Sequence, residues 1–248
     1  YSYELNNKKA PFDNVNIRKA LNLSLDRNVI TDKVLGQGQT PTYVFTPTYI
    51  EEGHLIQQPA YSKEPMAQRN EEAIKLLEEA GYSKANPLKF SILYNTNENH
   101  KKVAIAAASM WKANTKGLID VKLENQEWKT YIDSRRAGRY DAARAGWNAD
   151  YNQATTFGNY FLSNSSNNTA KYANPEYDKA IAESYVATDA EGRAKAYAKA
   201  EEILAKDFGI VPIFNYVNPR LVKPYVKGYS GKDPQDHIYL RNLYIIKH

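Results

Sequence analysis

Residues 140–152 read Tyr140-Asp141-Ala142-Ala143-Arg144-Ala145-Gly146-Trp147-Asn148-Ala149-Asp150-Tyr151-Asn152. Tyr140–Gly146 reads as a strand, and the residues after it bring a glycine, a tryptophan and an aspartate close together. Gly146 lets another backbone approach closely. Trp147 offers a flat apolar cover, and Asp150 is an anionic acceptor just past the strand end. Two readings follow from the residues alone. One is a docking edge for an extended peptide, with Asp150 anchoring a free α-ammonium. The other is a core tryptophan beside a turn-forming aspartate.

Outward from this stretch, helical and strand patterns alternate, which predicts a mixed α/β domain. Upstream, Asp13 or Asn14 can cap a helix carrying Val15, Ile17, Ala20, Leu21 and Leu23. Asp26 can cap a second helix with Val29, Ile30, Val34 and Leu35 that stops at Gly36. Residues 37–63 keep no period and read as a long ordered loop, a feature that in compact domains is usually functional or disordered. Pro65 opens a helix through Ala73, Leu76, Leu77 and Ala80 that Gly81 terminates. Leu88, Phe90, Ile92 and Tyr94 alternate as in a strand. A helix through Val103, Ala107 and Trp111, a strand near Ile119–Leu123, and a helix over Trp128, Tyr131 and Ile132 that ends by Gly138 come next.

Downstream, the polar run 163–168 is a loop, followed by helices over about 176–187 and 190–206. Ile210–Val217 is an apolar strand interrupted by Pro212, hence an edge or a bulge, and Tyr239–Ile246 closes the chain as a strand. No internal repeat is visible.

Composition narrows the function classes. The 248 residues are 42% hydrophobic and 25% charged, ordinary for a globular chain able to bury a sizeable core. No run of ~18 apolar residues exists to span a membrane. The opening Tyr-Ser-Tyr-Glu-Leu lacks the basic and apolar regions of a signal peptide and does not begin with Met, so a processed chain or a piece of a longer one is expected. The absence of cysteine excludes disulfides, thiolate metal sites and cysteine nucleophiles. The +5 net charge comes from 33 basic and 28 acidic residues that are interspersed, which argues against nucleic-acid binding. Tyrosine, at 20 residues, is in excess; it suits a surface that grips varied ligands, or fills strands and loops.

Enzyme signatures are missing. His54, His100, His237 and His248 are the only histidines, and none adjoins a Gly-x-Ser-x-Gly elbow. There is no Walker loop, dinucleotide fingerprint or His-x-x-x-His. Paired carboxylates such as Glu51-Glu52 and Glu71-Glu72 leave two-carboxylate hydrolysis as the one open catalytic alternative.

The 140–152 stretch resembles the corresponding segment of the bacterial periplasmic oligopeptide-binding proteins, the solute-binding subunits of peptide ABC importers. The resemblance runs along essentially the whole chain. It includes Phe12-Asp13-Asn14-Val15 with Arg18-Lys19-Ala20-Leu21 and Asp26-Arg27, then Arg69-Asn70-Glu71-Glu72-Ala73 through Gly81-Tyr82. It continues in Leu93-Tyr94-Asn95-Thr96, Asn125-Gln126-Glu127-Trp128-Lys129, Leu162-Ser163-Asn164-Ser165-Ser166, Val222-Lys223-Pro224-Tyr225 and Ile245-Ile246-Lys247-His248. The Arg-Ala-Gly-Trp-x-Ala-Asp-Tyr-Asn run is the part most specific to the oligopeptide branch.

The resemblance implies the C-terminal lobe of a two-lobe periplasmic binding protein (type II, cluster C). Residues 1–217 would form the ligand-binding lobe, and 218–248 a segment crossing back to an N-terminal lobe absent from this sequence. It implies that Asp150 pairs with the peptide α-amino group and that the backbone of Gly146, Trp147 and Asn148 adds the ligand as a strand. Position 148 is often cysteine in relatives, and the main-chain role survives with asparagine. Arg144 and His100 match positions that meet the ligand carboxylate; a third such position, usually basic, is Leu35 here. Trp128, Trp147, Arg135, Asn95 and Tyr216 match pocket-lining residues. From the residues themselves, core packing remains open for Trp128, a surface charge pair with Arg136 for Arg135, and helix capping for His100.

The implied function is capture of short oligopeptides in the periplasm and delivery to an inner-membrane ABC permease by a monomer. It needs no catalysis, cofactor or metal. Murein-peptide or haem binding is the alternative within the same class; an enzyme on this scaffold and an adhesive interaction module are the rivals outside it.

Overall fold

In a computed structural model, which describes residues 1–231, 233 and 236–247, the chain wraps helices around a five-stranded mixed sheet. His248 lies outside the described residues. The first half holds β1 (Ser2–Leu5), α1 (Val15–Leu23), a π-helical segment Val29–Leu35, β2 (Thr40–Pro41), α2 (Met66–Glu79), β3 (Leu88–Asn95), α3 (Glu98–Asn114) and β4 (Ile119–Gln126). The second half holds α4 (Trp128–Arg136), β5 (Ala142–Ala145), α5 (Thr155–Gly158), α6 (Pro175–Val186), α7 (Ala190–Lys206), β6 (Ile210–Pro212), β7 (Phe214–Asn215), β8 (Val226–Lys227) and β9 (Tyr244–Ile245).

The strand order is β4-β3-β5-β1-β6. β3 runs parallel to β4 and β5, whereas β1 is antiparallel to β5 and β6. The carboxyl ends of β3, β4 and β5 therefore share one rim of the sheet, and the amino end of β1 reaches the same rim beside β5, where Ser2 faces Ala145.

The alternation in β3 decides its faces. Leu88, Phe90, Ile92 and Tyr94 join the main core with α1 and α3, while Leu93 packs on the opposite face against Tyr131, Tyr140 and Ala143. Trp111 of α3 is fully buried and donates its indole N–H to the carbonyl of Leu21 at 2.9 Å. A second core under the other face joins α5, α6 and α7 through Phe157, Tyr177, Ile181, Tyr197 and Leu204.

Helix starts follow capping chemistry. Asn97 accepts from the N–H groups of Asn99 and His100 at 2.9 and 3.1 Å, and Asp189 accepts from Gly192 at 2.7 Å. Of the two expected caps for α1, Asn14 takes the role.

Several expectations are corrected. Asp26 does accept from the N–H groups of Asn28 and Val29, but the helix that follows is wound as a π-helix ending at left-handed Gly36 (φ 62°). The strand expected over 210–217 divides after Pro212: β6 forms the sheet edge, and β7 leaves to pair with β2. Proline cannot donate a ladder hydrogen bond, which fits that edge position. The expected closing strand 239–246 shortens to a 3-10 turn (Leu240–Asn242) and β9, which pairs with β8.

β1 carried no strand expectation, yet it lies inside the sheet. Tyr3 and Leu5 are fully buried on one face, and burial of Leu5 is worth about 1.5–3 kcal/mol. Glu4, on the other face, is equally buried.

Candidate functional site

At the shared rim lies a cleft of about 510 Å³. Its sides come from the turn after β5 (Trp147, Asn148, Ala149), the loop from Thr42 to Ile50, and the β6–β7 segment with Tyr216; Tyr1 and Ser2 of the β1 end also face it. Asn218, Tyr229, Gly231, Asp233 and Asp236 approach from the C-terminal segment. Ligands in open α/β sheets bind in such a crevice, outside the carboxyl ends of parallel strands.

Arg144, in β5, donates to the Tyr216 hydroxyl at 2.7 Å and lies 5.3 Å from the centre of the Tyr1 ring. Its Nε is buried without a partner. The Nδ1 of His100 is likewise unpaired, and its ring sits 5.5 Å from Tyr1. Burial, then the nearby Arg144 and the first amino group, push the His100 pKa down to about 4. The imidazole is therefore neutral at pH 7 and presents one donor and one acceptor. At the tips of β3 and β4, Asn95 and Gln126 stand opposite one another, and each has an unpartnered buried side-chain oxygen. This rim thus gathers a guanidinium, a neutral imidazole and amide groups with unused hydrogen-bonding capacity.

Gly146 makes room for Tyr216. A Cβ there would lie 2.3 Å from the Tyr216 hydroxyl and 3.1 Å from its ring. An aromatic side chain therefore needs the space that the missing Cβ leaves. The ring crosses over the end of β5 to reach Arg144.

Trp147 stands between the cleft and the second core. It lines the cleft, and it packs edge-on against Tyr160 at 5.0 Å. Its indole N–H donates to the Thr156 hydroxyl at 3.2 Å. The same hydroxyl accepts from the N–H of Asp150 at 3.1 Å and donates to the Asp150 carboxylate at 3.2 Å. Thr156 thus orients both residues, and no sequence pattern marks it. Asp150 itself is exposed at the cleft edge, between lining residues Ala149 and Asn152.

The ten expected site residues divide accordingly. Trp147, Asn148 and Tyr216 line the cleft. Arg144 and Gly146 touch it through Tyr216, and His100 stands beside Tyr1. Asn95 sits at the strand rim and Asp150 at the edge of the cleft. Trp128 is 56% exposed in the first turn of α4, tilted on Tyr131 at 5.9 Å, and lies outside the cleft lining.

Arg135 is placed differently from both of its expected roles. It is buried behind the sheet, donating to Glu4 at 2.9 Å, to Thr169 at 2.9 Å and to Tyr160 at 3.1 Å. Its position four residues beyond Tyr131 puts it on the sheet-facing side of α4, so it meets the buried carboxylate of β1. Leu35, at the end of the π-helical segment, packs against the main core.

The Thr42–Ile50 wall lies within the long loop 37–63, though the sequence singled out none of its residues; its Tyr49 is 73% exposed at the rim. Among the described residues no group of three or more His, Asp or Glu side chains could hold a metal ion, and no helix is long and apolar enough to cross a membrane.

Residues 1–169 match the family described as bacterial extracellular solute-binding proteins, family 5 Middle. Over all 248 residues the chain is 98% identical to the periplasmic oligopeptide-binding protein OppA of Haemophilus influenzae, spanning 46% of that protein. It is 55% identical to OppA of Salmonella typhimurium, spanning 45%, and 44% identical to the periplasmic murein peptide-binding protein MppA of Escherichia coli, spanning 46%. It thus covers about half the length of the curated relatives it matches. A crystal structure of Haemophilus influenzae OppA in complex with RPPGFSPFR superposes with TM-score 0.93 at 98% identity, over 99% of this chain and 48% of that one. The structure of Escherichia coli MppA superposes with TM-score 0.89 at 43% identity, over 100% of this chain and 48% of that one. With a family match across well over half its residues and this fold, the chain belongs to the bacterial extracellular solute-binding proteins, family 5.

Proposed function

We propose that this chain is the C-terminal lobe of a peptide-binding protein that captures short oligopeptides in the periplasm and hands them to an inner-membrane ABC permease. The observation that carries the reading is the strand-rim cleft lined by Trp147 and Tyr216, with Arg144 behind Tyr216 and His100 behind Tyr1, in a chain 98% identical to a periplasmic oligopeptide-binding protein. Murein-peptide and haem ligands belong to relatives at 44% and 30% identity.

The chemistry is binding alone. Main-chain groups around Gly146–Asn148 accept an extended guest as an added strand, so recognition does not depend on guest side chains. Asp150 takes the guest α-ammonium, held in place by Thr156. Arg144 and neutral His100 take the guest carboxylate with the donors they leave unused. Trp147, Tyr216 and Asn95 border side-chain pockets roomy enough for bridging water.

Residues 1–217 form the lobe, and 218–248 cross to an N-terminal lobe that closes over the guest by a hinge motion. Exposed Leu221, Leu240 and Ile245 on that segment fit a surface that another part of the protein covers.

Calorimetry on the full-length protein tests the anchor. Asp150→Asn is expected to weaken tri- to pentapeptides by roughly two to three orders of magnitude, because an ammonium closed into the cleft loses its partner. N-acetylated peptides should bind the unmodified protein comparably poorly. Equal affinity for free and acetylated peptides removes Asp150 from the site.

A further inference from the structure

Glu201 of α7 is a carboxylate buried to 5% exposure, and among the described residues no lysine, arginine or histidine forms an ion pair with it. Burial pushes its pKa up. An uncompensated buried anion is costly, so what holds it is informative. Its partners all lie in the cleft wall: the backbone N–H groups of Phe45 and Thr46, the latter at 3.1 Å, and the Thr46 hydroxyl at 2.8 Å.

Eight residues earlier on α7, about 12 Å along the helix, Arg193 donates to Glu52 at 2.7 Å. Glu52 is buried, and its backbone is left-handed at φ 63°. Such a conformation in a non-glycine residue persists only where its surroundings enforce it. Between the two ties the chain folds into tight turns, with Ile50 N–H donating to Pro47 and Gly53 N–H to Ile50 at 3.3 and 2.9 Å. Gly53 is packed so closely that a Cβ would lie 2.8 Å from the Pro47 carbonyl oxygen. Val44, Phe45, Pro47, Tyr49 and Ile50 of this segment line the cleft.

We infer that α7 sets the side-chain selectivity of the cleft, with Glu201 as the positioning residue that fixes the Phe45–Ile50 wall against it. The inference rests on the peptide-binding reading and adds to it a residue that touches no guest. Terminal-charge and backbone recognition lie on the β5 side, so the wall governs which guest side chains fit while leaving the grip on the guest's ends unaltered.

Full-length protein carrying Glu201→Gln is compared with the unmodified protein by calorimetry, using trialanine and tripeptides with one tryptophan. Gln keeps one acceptor but turns an NH₂ toward the Thr46 donors. The expected result is a change of about tenfold in the tryptophan-to-alanine affinity ratio, with trialanine affinity little altered. Amide exchange at Phe45 and Thr46 should accelerate in the same variant.

Thr46→Val, which removes only the hydroxyl donor, should shift the ratio in the same direction, and Thr46→Ser should restore it. These two carry the comparison if Glu201→Gln does not fold. Variants that bind both peptides with an unchanged ratio, or that weaken both equally, overturn the role of Glu201. Unmodified protein that binds neither peptide overturns the peptide reading itself.

Discussion

Glu4 and Arg135 illustrate how far a residue's identity is from its role. Read alone, Arg135 is one of two adjacent arginines at a helix end. In the fold it is buried against Glu4, with Tyr160 donating to the same carboxylate at 2.7 Å and Thr169 bonded to both charged groups. The network joins a strand inside the sheet to α4 and to the segment after α5. Removing one partner leaves a buried charge uncompensated, so Glu4→Gln should lower unfolding free energy by about 3–5 kcal/mol in urea titrations. The double variant Glu4→Gln/Arg135→Met should lose less than the two single losses summed, since it strands no charge.

At the scale of elements, short-range pattern was a sound guide wherever one face is buried and the end is capped. α7 is the clearest instance: alanine-rich, opened by Asp189 and spanning Ala190–Lys206, close to the 190–206 read from sequence. Asp189→Ala should lower stability by about 1 kcal/mol, seen as a lower thermal midpoint. A melting curve identical to that of the unmodified protein would refute the cap. β3 was legible from its alternation, and α4 from Gly138, which stands just past its end at Arg136. β1 was not read as a strand, although Tyr1, Tyr3 and Leu5 alternate with Ser2 and Glu4; what its pattern could not tell is that the Glu4 face is buried too, against Arg135. The 210–217 strand was misjudged in extent: Pro212 marked an edge correctly, but not that the chain changes sheets there.

At the scale of the whole molecule, residues of the C-terminal segment border the cleft. That segment exposes Leu221, Leu240, Tyr244 and Ile245, whereas the apolar side chains of the main cores are buried. A guest held by one lobe keeps only part of its contacts. The isolated 248-residue chain should therefore bind peptides far more weakly than the full-length protein in parallel calorimetry. Submicromolar affinity of the isolated chain would mean that a single lobe suffices.

Local pattern was enough for the α/β class, for most helices, for the cap of α1, and for the stretch from Arg144 to Asp150 around which the cleft forms. Periodicity and capping act over a few residues, so they can be read without knowing the fold. The tertiary structure alone decided that Arg135 is a core residue, that Gly146 makes room for Tyr216, that Thr156 orients Trp147 and Asp150, and that Glu201 holds the cleft wall. Except for the Thr156 contacts, these pairings join residues far apart in the chain: 131 positions for Arg135 and Glu4, 72 for Arg144 and Tyr216, and 156 for Phe45 and Glu201. A local pattern tells which face of an element is buried, but the partner waiting there is fixed only when the sheet order brings distant segments together.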